Sequence, residues 1–344
     1  MTAYIIRRLL ILPIMLLGIT MIIFSMIWML GPERLIGAYI KSPEALRSND
    51  AQERLIRKYG LDQPFYVQYG KWLGNLLQGD LGYSNVGRTA VTKAIGSRLP
   101  YTAELAIYSI IPVVVVGIWL GVIAGARHNT FWDHGIRIFA IIGWSLPDYV
   151  FGLLVLLVFY SFLGWFPPGY LSESSMAVLR SDEWRTVTKF ATIDSLINGR
   201  LDIFVDAFRH LIAPIITISY LWWAFILRIT RSSMLEVLRK DYVRTARAKG
   251  LPEKVVINKH VRRNAMIPVA TVSGGMIVQL FAGTVIVETV FARPGLGKFT
   301  ADAAVQLDYF SIIGSALFFS FILIVANLVV DISYALIDPR IRLK

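Results

Sequence analysis

Six stretches of roughly twenty residues, almost free of charge, set the terms on which this chain can fold: 9–30, 101–125, 138–163, 211–227, 265–287 and 310–336. A hydrocarbon core of roughly 30 Å is crossed by about 20 helical residues, and every backbone N–H and C=O inside it must be bonded internally. The blocks therefore predict an all-α polytopic membrane protein with six transmembrane helices. The fourth block is short and is expected to extend into its flanks. With 56% hydrophobic and 17% charged residues, the chain is too apolar for an ordinary soluble domain. It contains no cysteine, which removes disulfide frameworks and thiolate metal sites. Arg7 and Arg8 precede the first block as they would in a secretory signal. The block is longer than a signal core, however, and Met29-Leu30-Gly31-Pro32 is a poor cleavage site, so it reads as an uncleaved anchor.

A net charge of +12 raises nucleic acid as a partner, but the basic residues flank the apolar blocks, as the positive-inside rule requires. Segment 228–263 carries eleven Lys/Arg against three Asp/Glu, whereas 164–209 carries five against six. The first is placed in the cytoplasm and the second outside. Arg7, Arg8, Arg127, Arg137, Arg340, Arg342 and Lys344 then lie inside, with both termini cytoplasmic. Segment 31–98 has ten basic and six acidic residues yet must lie outside; it is longer than the loops that decide orientation. Pro13, Pro112, Pro147, Pro214 and Pro268 fall within blocks, either as tolerated membrane prolines or as kinks that widen a pathway.

The outer segment reads as two short helices. The first has Ser42 as N-cap, Pro43 at its first position and Gly60 as its stop. The second runs from near Pro64 to before Gly79. Its Phe65, Tyr69, Trp72, Leu73, Leu76 and Leu77 share one apolar face, suited to the membrane boundary or to the protein's own spans. In the later outer segment, Asn198-Gly199 marks a turn. That segment could be a docking surface, a lid or a variable loop.

On the cytoplasmic side, residues 234–249 favour helix, Gly250 can end it in the left-handed conformation, and Pro252 can open a second short helix. Such a hairpin would project from the membrane. Small Ala246 and Ala248 would let another surface approach, with Arg244, Arg247 and Lys249 offering charge. A solvated basic loop that only fixes topology is the plainer alternative.

The run Tyr242-Val243-Arg244-Thr245-Ala246-Arg247-Ala248-Lys249-Gly250, followed by His260 and Arg263-Asn264-Ala265, resembles the cytoplasmic loop of ABC importer permeases. It is most similar to the dipeptide/oligopeptide permease family, in the first-subunit branch. Where the general permease motif has Glu-Ala-Ala, this chain has Arg244-Thr245-Ala246. His260 stands for the motif's Ile, and its proline is delayed to Pro268. These departures match the peptide subfamily. Further matches in order are Leu61-Asp62-Gln63-Pro64, Gly79-Asp80-Leu81-Gly82-Tyr83-Ser84 and Arg98-Leu99-Pro100-Tyr101-Thr102-Ala103-Glu104-Leu105. They continue with Glu288-Thr289-Val290-Phe291-Ala292-Arg293-Pro294-Gly295-Leu296-Gly297 and Asp338-Pro339-Arg340-Ile341-Arg342. Asp148 stands where the family has a small residue.

The resemblance implies the type I ABC importer permease fold. Its parts would be an N-terminus and first span at 1–30, an extracytoplasmic helical segment at 31–100, and a five-helix core at 101–344 with its coupling loop at 233–264. It implies a heterodimer with a second related permease subunit, two cytoplasmic ATPase subunits and an extracytoplasmic substrate-binding protein, in a prokaryotic cytoplasmic membrane. Asp241, Tyr242, Arg244, Ala246, Arg247, Ala248, Lys249, Gly250 and His260 would form the ATPase-coupling loop. Glu288, Phe291, Pro294, Gly295 and Gly297 would form the outer turn or gate. The cargo would be a di- or oligopeptide, with oligosaccharides or nickel complexes as alternatives in related systems. ATP and magnesium would sit in the partner subunits, and this chain would carry no catalytic residue, metal or cofactor. The nearest approach to a phosphate-binding loop, Ala292–Phe299, lacks the first Gly and the hydroxyl residue. Ser273-Gly274-Gly275 reads as small residues for helix packing.

Two other classes remain to be weighed. A secondary transporter would need membrane-embedded carboxylates; Glu104, Asp148, Glu288 and Asp331 can all be placed near span ends, where charge is cheap. An intramembrane metalloenzyme would need paired ligands, but His128, His134, His210 and His260 have no metal-ligand spacing and read as solvated.

Overall fold

The computed structural model describes residues 2–33, 49–282 and 284–337. Ser42, Pro43 and the matching tail at 338–342 lie outside them. The elements in chain order are α1 (Thr2–Trp28), α2 (Asn49–Tyr59), α3 (Phe65–Leu77), the hairpin β1 (Tyr83–Ser84) and β2 (Thr89–Ala90), and α4 (Val91–Ala126). There follow α5 (Phe131–Ser145), α6 (Asp148–Val155, continued as a π-helix through Leu156–Phe162), α7 (Glu173–Leu179), α8 (Ala191–Ile197) and α9 (Leu201–Leu238). The last are α10 (Asp241–Ala248), α11 (Glu253–Val255, continued as a π-helix through Val256–Arg262), α12 (Arg263–Ala282), α13 (Val285–Val290), α14 (Leu296–Val305) and α15 (Tyr309–Ile337). Each of the six apolar blocks is mainly helical among the described residues. By length and composition three described helices can cross a membrane: Val91–Ala126, Leu201–Leu238 and Tyr309–Leu328. As expected, the short fourth block extends at both ends.

The third block is not one straight span. It is divided between α5 and α6, which meet at 108°. Pro147 explains the break, because it cannot donate to the preceding turn and forces its neighbour out of the helical region. Leu146 is extended (φ −90°, ψ 130°), and Pro147 follows it at ψ 145°. Of the five prolines within the apolar blocks it alone falls at a helix break. Pro13, Pro214 and Pro268 sit inside continuous helices.

The chain forms two compact units, 1–100 with 295–344 and 101–294. In the first, α3 lays Phe65, Tyr69 and Trp72 around Phe24 of α1, with ring centroids 5.3–5.5 Å from it. The protein's own span therefore takes that end of the apolar face, while Leu77 at the other end is 81% exposed. Gly60 and Gly79 both have positive φ, which stops the two helices where the sequence predicts. Asp308 is buried and holds the β1–β2 turn. Its Oδ2 accepts from Ser84 Oγ (3.0 Å), the Val86 amide (3.0 Å) and Ser311 Oγ (2.7 Å).

In the second unit α9 is the central helix, packed against α12, α5, α8 and α6. On α4, Gly117, Gly121 and Gly125 repeat every fourth residue against α9. A Cβ added at each would lie 2.9 Å from Ile226, 2.5 Å from Thr230 and 2.5 Å from Met234. Small residues at this spacing let two helix backbones approach, which is where membrane helices gain dispersion contact. The predicted packing glycine Gly275 instead faces open space.

Candidate functional site

The hairpin that follows α9 is built around an apolar contact. Met234, Val243, Ala246, Val256, Val261 and Ala265 are buried together. In one straight helix Val243 would project opposite to Met234, nine residues earlier, because each residue turns the helix by about 100°. The predicted single helix over 234–249 is accordingly broken. Lys240 is extended (ψ 146°), and α10 restarts at Asp241 with its apolar face redirected inward.

Gly250 ends α10 as expected, with φ +76°. Its amide donates to Arg247 O (2.9 Å) and the Leu251 amide reaches Ala246 O (3.4 Å), the pair of bonds of a Schellman cap. Pro252 does open the next helix, but α11 runs through its π-helical continuation into α12 rather than standing as a separate short helix. Arg247 spans the turn to Glu253 with two bonds, Nη2–Oε1 of 2.6 Å and Nε–Oε2 of 3.1 Å. That guanidinium holds the Glu253 carboxyl below the usual glutamate range.

The residue-by-residue placement alters one expectation. Ala246 faces inward and is not offered to an approaching surface. Asp241, Tyr242, Arg244, Arg247, Ala248, Lys249 and Gly250 are exposed. Arg244 leans on Asp241 at 3.4 Å. His260 is half-buried in the π-helical continuation, where its carbonyl accepts from Asn264 Nδ2 (2.8 Å). The structure thus brings most of the predicted loop residues onto one outward face above an apolar base.

The turn expected to form the outer gate has the opposite character. Glu288, Phe291 and Arg293 are all completely buried, and Pro294 is exposed. Gly295 precedes α14 and Gly297 is buried within it, in the other compact unit. Glu288 Oε1 accepts from Thr102 Oγ1 (2.6 Å) and Thr284 Oγ1 (3.0 Å). Arg293 Nη2 donates to Glu104 Oε2 at 3.3 Å, with neither side chain exposed at all. The other Glu104 oxygen accepts from the Thr192 amide (3.1 Å) and hydroxyl (2.8 Å). Tyr170 lies 5.1 Å from the guanidinium, and its hydroxyl accepts from the Ala191 amide (2.7 Å). Burial pushes the Tyr170 phenol upward, reinforced by Glu104, and pulls the Arg293 guanidinium downward against the pull of Glu104.

Two placements by span-end logic are therefore corrected. Glu104 and Glu288 are not cheap, solvated end charges: Thr192 of α8 and Arg293 close on Glu104, and Thr102 and Thr284 bond Glu288. His210 is not solvated either; it is 3% exposed, with Nδ1 2.8 Å from Asp206 O. The outer segment 164–209 is a folded layer tied to the turn, which the sequence left open. Its Gly169 amide donates to Phe291 O (2.8 Å). Asp148 is half-buried in the first turn of α6, where the helix N-terminus favours a negative charge.

Comparison with known proteins fits this architecture. Residues 117–343 match the family described as binding-protein-dependent transport system inner membrane component. The oligopeptide transport system permease protein AppB of Bacillus subtilis is 39% identical over 343 residues, covering 99% of this chain and 100% of that protein. The di/tripeptide transport system permease protein DppB of Pseudomonas aeruginosa is also 39% identical, over 99% of each chain. The dipeptide transport system permease protein DppB of Escherichia coli K12 is 37% identical over the full length of both. A mainly helical chain with apolar spans, matched end to end by these permeases, belongs to the inner-membrane component family of binding-protein-dependent transport systems.

Proposed function

We propose that this chain is one permease subunit of an ATP-driven peptide importer. The observation that carries the reading is the end-to-end similarity to AppB and DppB, whose names specify oligopeptide, di/tripeptide and dipeptide transport. Peptide cargo is thereby preferred to sugar or nickel complexes. A second permease subunit completes the path, a binding protein delivers cargo from outside, and two ATPase subunits carry ATP and magnesium. The chain sits in a prokaryotic cytoplasmic membrane with both termini inside.

In this reading the outward face of α10 docks on an ATPase subunit. Closure of the ATPase pair pushes on Tyr242, Arg244, Arg247, Ala248 and Lys249. The push reaches the spans because Val243 and Ala246 are packed against Met234, Val256 and Ala265 at the ends of α9 and α12. Close-packed interiors transmit displacement rather than absorb it. ATP and peptide can drive the cycle only through unequal affinity for its two states. The outer turn, anchored by Glu288 and Arg293, serves as a rigid part of the outer gate.

The test is reconstitution in proteoliposomes. Peptide uptake is expected only when the second permease, the ATPase subunits, the binding protein and ATP are all present. Uptake by this chain alone under an ion gradient would overturn the reading.

A further inference from the structure

Arg228 and Arg231 lie one turn apart on α9, and only one of them is neutralised. Arg231 grips the buried Asp133 with two bonds, of 2.6 and 2.7 Å. Arg228 is exposed and has no acidic partner among the described residues. Its guanidinium carbon lies 5.2 Å from the ring centroid of Trp144 and 5.9 Å from that of Phe225. Those two rings stack on each other at 6.3 Å with their planes 17° apart. Trp144 is 61% exposed and falls just before the break at Pro147. The neighbouring tryptophans are committed elsewhere. Trp223 Nε1 donates to Pro112 O (2.8 Å), and Trp222 packs into apolar core.

A long basic side chain at the end of a span ordinarily stretches toward the membrane surface. Arg228 instead lies over a ring that belongs to the third apolar block. An unpaired charge beside apolar surface is expensive and is kept where it meets water or a ligand. Aromatic faces hold the flat side of a guanidinium and leave its N–H edge outward. The group that fits that edge is a planar carboxylate, which takes two parallel bonds.

We propose that Arg228, held by Trp144 and Phe225, binds the terminal carboxylate of a peptide in transit. This rests on the peptide-import reading and adds a recognition point within the membrane subunit, separate from the choice made by the binding protein.

The experiment uses the purified transporter with all its subunits but without the binding protein, so that prior selection does not interfere. Equilibrium binding is measured for radiolabelled trialanine and for its C-terminal amide. The wild type is expected to favour the free acid by roughly tenfold, the scale of a charge-assisted hydrogen bond. Arg228→Gln, which keeps helix propensity at an exposed position, is expected to abolish the preference. Arg228→Lys is expected to retain only part of it, and Trp144→Ala to narrow it. Equal affinity for acid and amide in the wild type, or an undiminished preference in Arg228→Gln or Trp144→Ala, overturns the proposal. Adding the binding protein and ATP to the same preparation separates the two claims. No import of trialanine would remove the peptide reading itself, whereas import without an acid preference in the binding assay removes only the site.

Discussion

The turn at Arg293 and the hairpin at Gly250 each carry one arginine–glutamate pair, and the pairs live in opposite surroundings. Arg293 and Glu104 have no exposed surface, whereas the Arg247 and Glu253 side chains are 44% and 58% exposed. The outer pair joins residues 189 positions apart, and the inner pair residues six apart. A buried pair is costly to split because the surviving charge cannot regain its water, whereas an exposed pair loses little. The outer turn therefore behaves as a fixed clamp over its loop. In the hairpin, fixity comes from the apolar base, and the charges stay available to a partner.

The largest expected effect breaks the clamp. Arg293→Met should destabilise the protein by about 3–5 kcal/mol, since it strands Glu104 without its cation. Thermal unfolding of the detergent-solubilised transporter measures this. Adding Glu104→Gln to Arg293→Met should recover part of the loss, because the stranded charge is removed with it. A melting point unchanged by Arg293→Met would mean the pair is not a clamp.

Next comes the apolar base of the hairpin. Ala246→Leu must insert volume into a packed contact and should cost about 1–3 kcal/mol. Ala248→Leu, two residues on and exposed, should stay within about 0.5 kcal/mol. If the base passes on the ATPase stroke, Ala246→Leu should also lower the peptide imported per ATP hydrolysed. Equal effects at the two alanines would erase the distinction between inner and outer faces of α10.

That distinction shows what local pattern can and cannot reveal. The apolar blocks, the stops at Gly60, Gly79 and Gly250, and the turn at Gly199 were legible because each depends on a few neighbouring residues. The inward turn of Ala246 was not, since it needs the break at Lys240, which propensity over 234–249 does not signal. Glu104 and Arg293 lie in family-like motifs, but nothing near either residue in sequence announces the other. Their burial follows from α8 and Tyr170 closing over them. The glycines at 117, 121 and 125 carry a readable signal, four-residue spacing in an apolar helix, whereas the adjacent pair Gly274-Gly275 lacks that spacing. The 108° break was half legible: Pro147 marked the place, and only the tertiary fold set the angle.

A third prediction concerns the hairpin's turn. Gly250 has φ +76° with nothing within 4 Å of an added Cβ, so strain there is purely conformational. Gly250→Val should cost roughly 1–2 kcal/mol locally. It should uncouple ATP turnover from uptake while leaving global unfolding almost unmoved. Normal coupling in Gly250→Val would detach the turn from the proposed stroke.

The smallest effect belongs to the exposed pair, and its sign is fixed by linkage. The hydrogen bonds from Arg247 hold the Glu253 carboxyl low and raise the Arg247 guanidinium. A depressed carboxyl contributes its stability above the pKa it has when unfolded, and loses it as the pH falls through the folded value. The arginine's share would be lost only far on the alkaline side. Between neutral pH and the ordinary glutamate range the bridge should therefore be constant, fading only in more acid solution. Both side chains are well solvated, so salt should weaken the bridge even at neutral pH. Glu253→Gln should leave stability at neutral pH nearly unchanged and flatten the acid limb of the hairpin's amide-exchange profile. A hairpin that opened at neutral pH in Glu253→Gln would show that the bridge, rather than the apolar base beneath α10, holds the two helices together.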